Sequence, residues 1–182
     1  MAEAAGPRPP AAALLSQATL DTIRTARQRY PSPRSAALPA LWAVQDQLGH
    51  VPPDAMAEVA AALGIGAAEV EAVSTFYAMY FRRPLGRHFV QVCTNVSCAL
   101  RGADSVVRHL EGRLGIADGG TSADGLVTLE STVECLGACG GAPALQVDRY
   151  SVEDCTPDIL DAIVHRLRAG TATAAPGPGA GP

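Results

Sequence analysis

His88-Phe-Val-Gln-Val-Cys93-Thr-Asn-Val-Ser-Cys98 is where the chain changes character. Phe89, Val90 and Val92 are β-prone, so the stretch reads as a strand that ends on a cysteine and opens into a loop. A second cysteine pair, Cys135-Leu-Gly-Ala-Cys139, follows a second strand-like run, Leu126-Val-Thr-Leu129. The pairs enclose four and three residues and stand 36 residues apart. Since each pair follows a strand, both can gather at one end of a sheet, where loops meet. Four thiolates from two short loops suit a small metal centre. Iron–sulfur clusters are usually held by such a set, and zinc accepts the same soft ligands. Spacing alone leaves both readings open. The redox dithiol pattern C-x-x-C and the plant-type C-x₄-C-x₂-C are both absent.

Downstream of the first pair, Val106, Val107, Leu110 and Leu114 mark an amphipathic helix over 104–114. A Gly- and Asp-rich turn follows at 118–125, and 144–147 with 150–152 read as a closing hairpin. Thr156 caps a last helix with Pro157 at its first position. The order is β-α-β-β-β-α, an α/β unit over 86–168.

Upstream, residues 16–85 read as a small helical bundle. Ser16 caps a first helix that stops near Tyr30-Pro31; a second starts after Pro33 and closes at Gly49. A third opens at Pro53 and closes at Gly64, and a fourth runs from Ala67 to Tyr80. The expected fold class is therefore α+β: an N-terminal helical bundle followed by an α/β unit. Residues 1–15 read as a disordered lead, and the Gly, Ala, Thr and Pro of 169–182 as a disordered tail.

Composition narrows the function classes. With 18 acidic and 14 basic residues the net charge is −4, all the basic residues are Arg, and no basic stripe exists, so nucleic acid is not an expected partner. No run of about 18 apolar residues is present, so no direct membrane insertion is expected. The stretch Ala11–Leu15 is too short for a signal-peptide core, which points to a reducing, cytoplasmic compartment where paired cysteines bind metal or do redox chemistry.

Gly137, Gly140 and Gly141 in the second cysteine loop allow unusual backbone angles and close approach of amide N–H groups to sulfur. Cys155 stands 16 positions beyond Cys139 and reads as a small buried hydrophobe. His50, His88, His109 and His165 are scattered, and no carboxylate partner is recognisable for any of them. No nucleotide-binding glycine loop appears. Half of the eight aromatic residues lie in Phe76-Tyr-Ala-Met-Tyr-Phe81, expected to pack the bundle against the α/β unit; a partner-facing patch is the alternative.

Cys93-Thr-Asn-Val-Ser-Cys98, Glu134-Cys-Leu-Gly-Ala-Cys139 with Ala142-Pro143, and Glu153-Asp154 with Thr156-Pro-Asp158 closely resemble the thioredoxin-like [2Fe–2S] subunit family of NADH:quinone oxidoreductase, respiratory complex I. Pro33-Arg-Ser-Ala-Ala-Leu-Pro39 and its continuation to Pro52, and Ser74-Thr-Phe-Tyr-Ala-Met-Tyr80, also look like that family. The resemblance covers roughly residues 17–168. It implies that the α/β part is a thioredoxin-like [2Fe–2S] ferredoxin domain, with Cys93, Cys98, Cys135 and Cys139 as ligands of one [2Fe–2S] cluster. It further implies docking on a flavoprotein subunit that carries FMN and the NADH site, alongside further iron–sulfur subunits. The place implied is the peripheral arm on the cytoplasmic side of the inner membrane. The chain would act as an oxidoreductase subunit with no catalytic activity when isolated. The equivalent subunit of an NAD-linked formate dehydrogenase or hydrogenase, and a zinc-binding structural module, are the alternatives. Two departures stand out: Gly140-Gly141 occupies positions where many members carry bulkier residues, and Cys155 stands where an aliphatic residue is common.

Overall fold

The computed structural model describes residues 13–170 and divides the chain into two compact units, between Pro84 and Leu85. The expected tail from 171 onward, and the lead up to 12, lie outside the described residues. The rest of the lead is tied down: Leu15 is buried, and the Leu14 and Leu15 amides donate to the Glu58 carboxylate at 2.7 and 3.1 Å.

The first unit holds α1 (Gln17–Arg29), α2 (Ala37–Leu48), α3 (Pro53–Leu63) and α4 (Ala67–Phe76), with a 3₁₀ turn over Pro33–Ala36 before α2. The boundaries follow local chemistry. The Ser16 side chain accepts from the Thr19 amide at the start of α1. Gly49 and Gly64 take the left-handed conformation (φ 75° and 70°) that ends α2 and α3. The apolar faces then meet in one core with Ile23, Leu41, Val44, Val59, Leu63 and Val70 at its centre.

The fourth helix is shorter than its apolar pattern predicts. It stops at Phe76 rather than Tyr80, because the following segment is recruited by a side chain far upstream. Gln45, buried on α2, donates from Nε2 to the Met79 carbonyl (2.9 Å) and accepts at Oε1 from the Phe81 amide (2.7 Å). Tyr80 turns into the core, donates to the Leu38 carbonyl (2.9 Å) and stacks edge-on against Trp42. The aromatic run therefore splits: Tyr80 belongs to the helical core, whereas Phe76 is 76% exposed and Tyr77 and Met79 are partly so. Gln45→Ala strips two backbone groups of their partners. It is expected to cost about 2–4 kcal/mol, read as a lowered urea midpoint at unchanged m.

The second unit is a four-stranded sheet in the order β2-β1-β3-β4, built from β1 (His88–Cys93), β2 (Val127–Thr132), β3 (Leu145–Val147) and β4 (Tyr150–Val152). β1 pairs parallel with β2 and antiparallel with β3, and β3 pairs antiparallel with β4. A short helix α5 (Val96–Leu100) and the longer α6 (Ala103–Leu114) connect β1 to β2, and α7 (Pro157–Arg168) ends the unit. Val106 and Leu110 of α6, and Leu160, Ile163 and Leu167 of α7, share one core with Val90, Val92, Leu129 and Leu145 of the sheet. The predicted β-α-β-β-β-α order is present, with α5 as an added turn of helix capped by Asn95. No helix among the described residues is long and apolar enough to cross a membrane.

Candidate metal centre

Strand directions decide where the cysteines go. β1, β2 and β4 run the same way and β3 runs against them, so three strands end, and β3 begins, at one edge of the sheet. Cys93 ends β1, Cys98 lies on α5 just beyond it, Cys135 follows β2, Cys139 precedes β3 and Cys155 follows β4. All five cysteines are gathered at that edge, and all carry free thiols.

Side chains and backbone tie the two cysteine loops to each other. The Thr94 amide donates to the Thr132 carbonyl (2.8 Å), and Asn95 Nδ2 donates to the Val133 carbonyl (2.6 Å). The Cys93 amide donates to the Ala144 carbonyl (3.1 Å), and Arg101 Nε to the Ala142 carbonyl (3.1 Å). Cys93 and Cys98 are buried with Ala103, Ala142 and Ala144, whereas Cys135 and Cys139 are exposed, their sulfurs 3.2 Å apart.

The sulfurs feel one another. Burial raises the Cys98 thiol, and the neighbouring Cys93 and Cys139 add to the rise. The Gly137 N–H, 3.4 Å from Cys135 Sγ, lowers the Cys135 thiol, with further lowering from Cys139 and Cys93. Cys139 is raised, first by its contact with Cys135. The Cys135 thiol is thus lowered while Cys98 and Cys139 are raised, and an amide donor is aimed at Cys135. Among the described residues no group of three or more His, Cys, Asp or Glu side chains is drawn together tightly enough for one metal ion. The four thiols stand instead as two adjoining pairs. As a donor set of four soft sulfurs with backbone N–H groups in reach, they fit a [2Fe–2S] unit.

Cys155 is different in kind. Its Sγ lies 3.5 Å from the carbonyl of Val152, the last residue of β4, and burial pushes the thiol up to about 12. The glycines also divide. Gly137 has φ 83°, in the left-handed region that favours glycine. Gly140 and Gly141 do not, and with Cys139 they form a 3₁₀ turn. Gly141 is needed for space, since a Cβ there would meet Glu153.

Two of the histidines have carboxylate partners distant in sequence. His88 Nδ1 lies 2.9 Å from Asp148, and His109 Nε2 lies 2.7 Å from Asp161, a carboxylate that His109 and Arg113 hold below the usual range. These pairs span 60 and 52 residues, which no local motif reveals. His88 starts β1, at the opposite edge from Cys93, and His109 lies on α6.

The sequence profile of the family described as thioredoxin-like [2Fe-2S] ferredoxin matches residues 23–168. The chain is 43% identical over 164 residues to an NADH-quinone oxidoreductase subunit of Rhizobium meliloti (strain 1021), covering 86% of this chain and 97% of that protein. It is 38% identical over 154 residues to the corresponding NADH-quinone oxidoreductase subunit of Salmonella typhimurium (strain LT2), covering 85% and 92%. Among solved structures, an NAD+-reducing [NiFe]-hydrogenase in the air-oxidised state superposes with TM-score 0.64 at 24% identity, over 79% of this chain. The chain spans only 24% of that hydrogenase chain, so the likeness is one of fold. Sheet topology, the quartet of thiols and a profile that runs through both units agree: the chain belongs to the thioredoxin-like [2Fe-2S] ferredoxin family.

Proposed function

We propose that the chain is an electron-transfer subunit of an NADH:quinone oxidoreductase, set in the peripheral arm on the cytoplasmic side of the membrane. Its single [2Fe–2S] cluster would be held by Cys93, Cys98, Cys135 and Cys139. Its electron partner would be FMN on a flavoprotein subunit that also binds NADH, with further iron–sulfur subunits beyond. The observation that carries this reading is the convergence of those four thiols at one sheet edge, in two adjoining pairs.

When bound, such a cluster supplies a one-electron couple. The chain's own part is to hold and insulate it. Cys93 and Cys98 anchor it from the buried side, and the Gly137 amide stabilises negative charge on Cys135. Exposed apolar side chains lie in the same segments. Val96 and Leu100, four residues apart on α5, and Val133 beside them are 69%, 83% and 77% exposed. Exposed apolar side chains in the segments that carry the cysteines suit a surface that a partner subunit covers.

The test is the full chain purified anaerobically. We expect visible absorbance that bleaches with dithionite, about two irons and two acid-labile sulfides per chain, and an electron paramagnetic resonance signal on one-electron reduction. Colourless protein with one zinc would overturn the proposal. Co-purification with a flavin-bearing partner, and no NADH oxidation by the chain alone, checks the assignment of FMN and NADH.

A further inference from the structure

Arg101 joins the two cysteine loops. It sits one residue beyond α5, three residues after Cys98, and its amide donates to the Cys98 carbonyl at 3.1 Å. Its guanidinium reaches across 41 positions, where Nε donates to the Ala142 carbonyl at 3.1 Å. Ala142 lies three residues after Cys139, and its side chain packs in the same buried cluster as Cys93 and Cys98. The same residue thus grips the helix that carries one buried sulfur and the loop that carries one exposed sulfur.

Most of the other ties between the loops act elsewhere. Thr94 and Asn95 join the first loop to residues 132 and 133, ahead of Cys135, and the Cys93 amide reaches Ala144, already at the edge of β3. The Ser97 side chain also bonds Cys139 itself, at the start of the turn between Cys139 and Pro143, and the bond from Arg101 holds Ala142 at its other end.

We propose that Arg101 is a positioning residue for the metal centre: it fixes the Cys139 loop against the Cys98 helix and so sets how firmly the cluster is held. This rests on the [2Fe–2S] reading above. The guanidinium does this as a directed donor rather than as a charge. Its Nε is fixed in the plane of the fork, whereas a lysine ammonium is a hydrated point charge on a flexible stem and does not reproduce that bond.

The experiment compares the loaded full chain with Arg101→Lys and Arg101→Gln. Cluster loss to a chelator is followed by visible absorbance, and the signal of the dithionite-reduced centre is recorded. Both variants are expected to lose the cluster about fivefold faster, the value of one hydrogen bond of about 1 kcal/mol, with shifted g-values. The thermal midpoint of the cluster-free chain is expected to stay put. A variant that keeps that midpoint yet fails to load supports the proposal further. Wild-type loss rates and g-values in both variants overturn it, as does a lysine variant that behaves as wild type while the glutamine variant does not. A lowered midpoint in the cluster-free chain also overturns it, since the bond would then serve the fold at large. Absence of iron and sulfide from the wild-type chain fails the [2Fe–2S] reading instead, a distinct result.

Discussion

Cys98→Ala is expected to empty the site. Iron and acid-labile sulfide should fall from about two of each per chain to background, and the visible absorbance should vanish with them. The argument begins with burial. Cys98 is 2% exposed and packed against Cys93, Ala103 and Ala142, so no other side chain has room to take its place. Water reaches that position poorly, and with the proposed ligand set an alanine leaves one iron short of a ligand. The decisive control is Cys155→Ala. Cys155 lies at the same sheet edge, so proximity alone would make it a fifth candidate. Its sulfur faces the Val152 carbonyl, and it packs in the sheet core with Val152, Leu160 and Ile163, whereas Cys98 packs with Cys93. Cys155→Ala should keep both irons and lower stability by about 1–2 kcal/mol through a small core cavity. If Cys155→Ala lost the iron and Cys98→Ala kept it, the ligand set would have to be redrawn.

The contrast between these cysteines shows where sequence reading stops. The two pairs could be placed at one edge because each follows a strand, and parallel strands deliver their following loops to the same side. Placing Cys155 there as well needs the direction of β4, which is fixed by its antiparallel pairing with β3. Local chemistry was equally legible at the helix ends: Ser16, Pro53, Gly49, Gly64 and Thr156 all act within a turn of where they stand. The end of α4 was not legible, because Tyr77 and Tyr80 continue the apolar spacing of a helix. What stops the helix is Gln45, more than thirty residues upstream, which claims Met79 and Phe81. The His88–Asp148 and His109–Asp161 pairs were hidden for the same reason. Short-range signals write helix limits and strand identity. Contacts across dozens of residues write the rest.

Gly141→Ala is expected to damage the second cysteine loop, whereas its neighbour Gly140→Ala should be close to silent. Nothing lies within 4 Å of a Cβ placed on Gly140. A Cβ on Gly141 would collide with the Glu153 side chain, coming within 2.5 Å of the Glu153 Cβ. A flexible carboxylate can swing aside, but a Cβ moves only with its backbone. That backbone is held: the Asp154 amide donates to the Gly141 carbonyl (2.7 Å), the Cys155 amide donates to the Pro143 carbonyl (3.0 Å), and Asp154 already sits at φ 48°. Relief must therefore come from the loop that carries Cys139. Overpacking of this kind costs about 1–3 kcal/mol. Here it falls on the turn that begins at Cys139, so with the proposed ligand set faster cluster loss should accompany the lowered thermal midpoint. A bulkier residue at this position is compatible with the fold only if position 153 yields, which gives a cycle to measure. Glu153→Gly removes the clashing Cβ, and Gly141→Ala in that background should recover most of the loss in both readouts. Equal effects of Gly141→Ala with and without Glu153 would show that the glycine serves something other than the space beside that side chain.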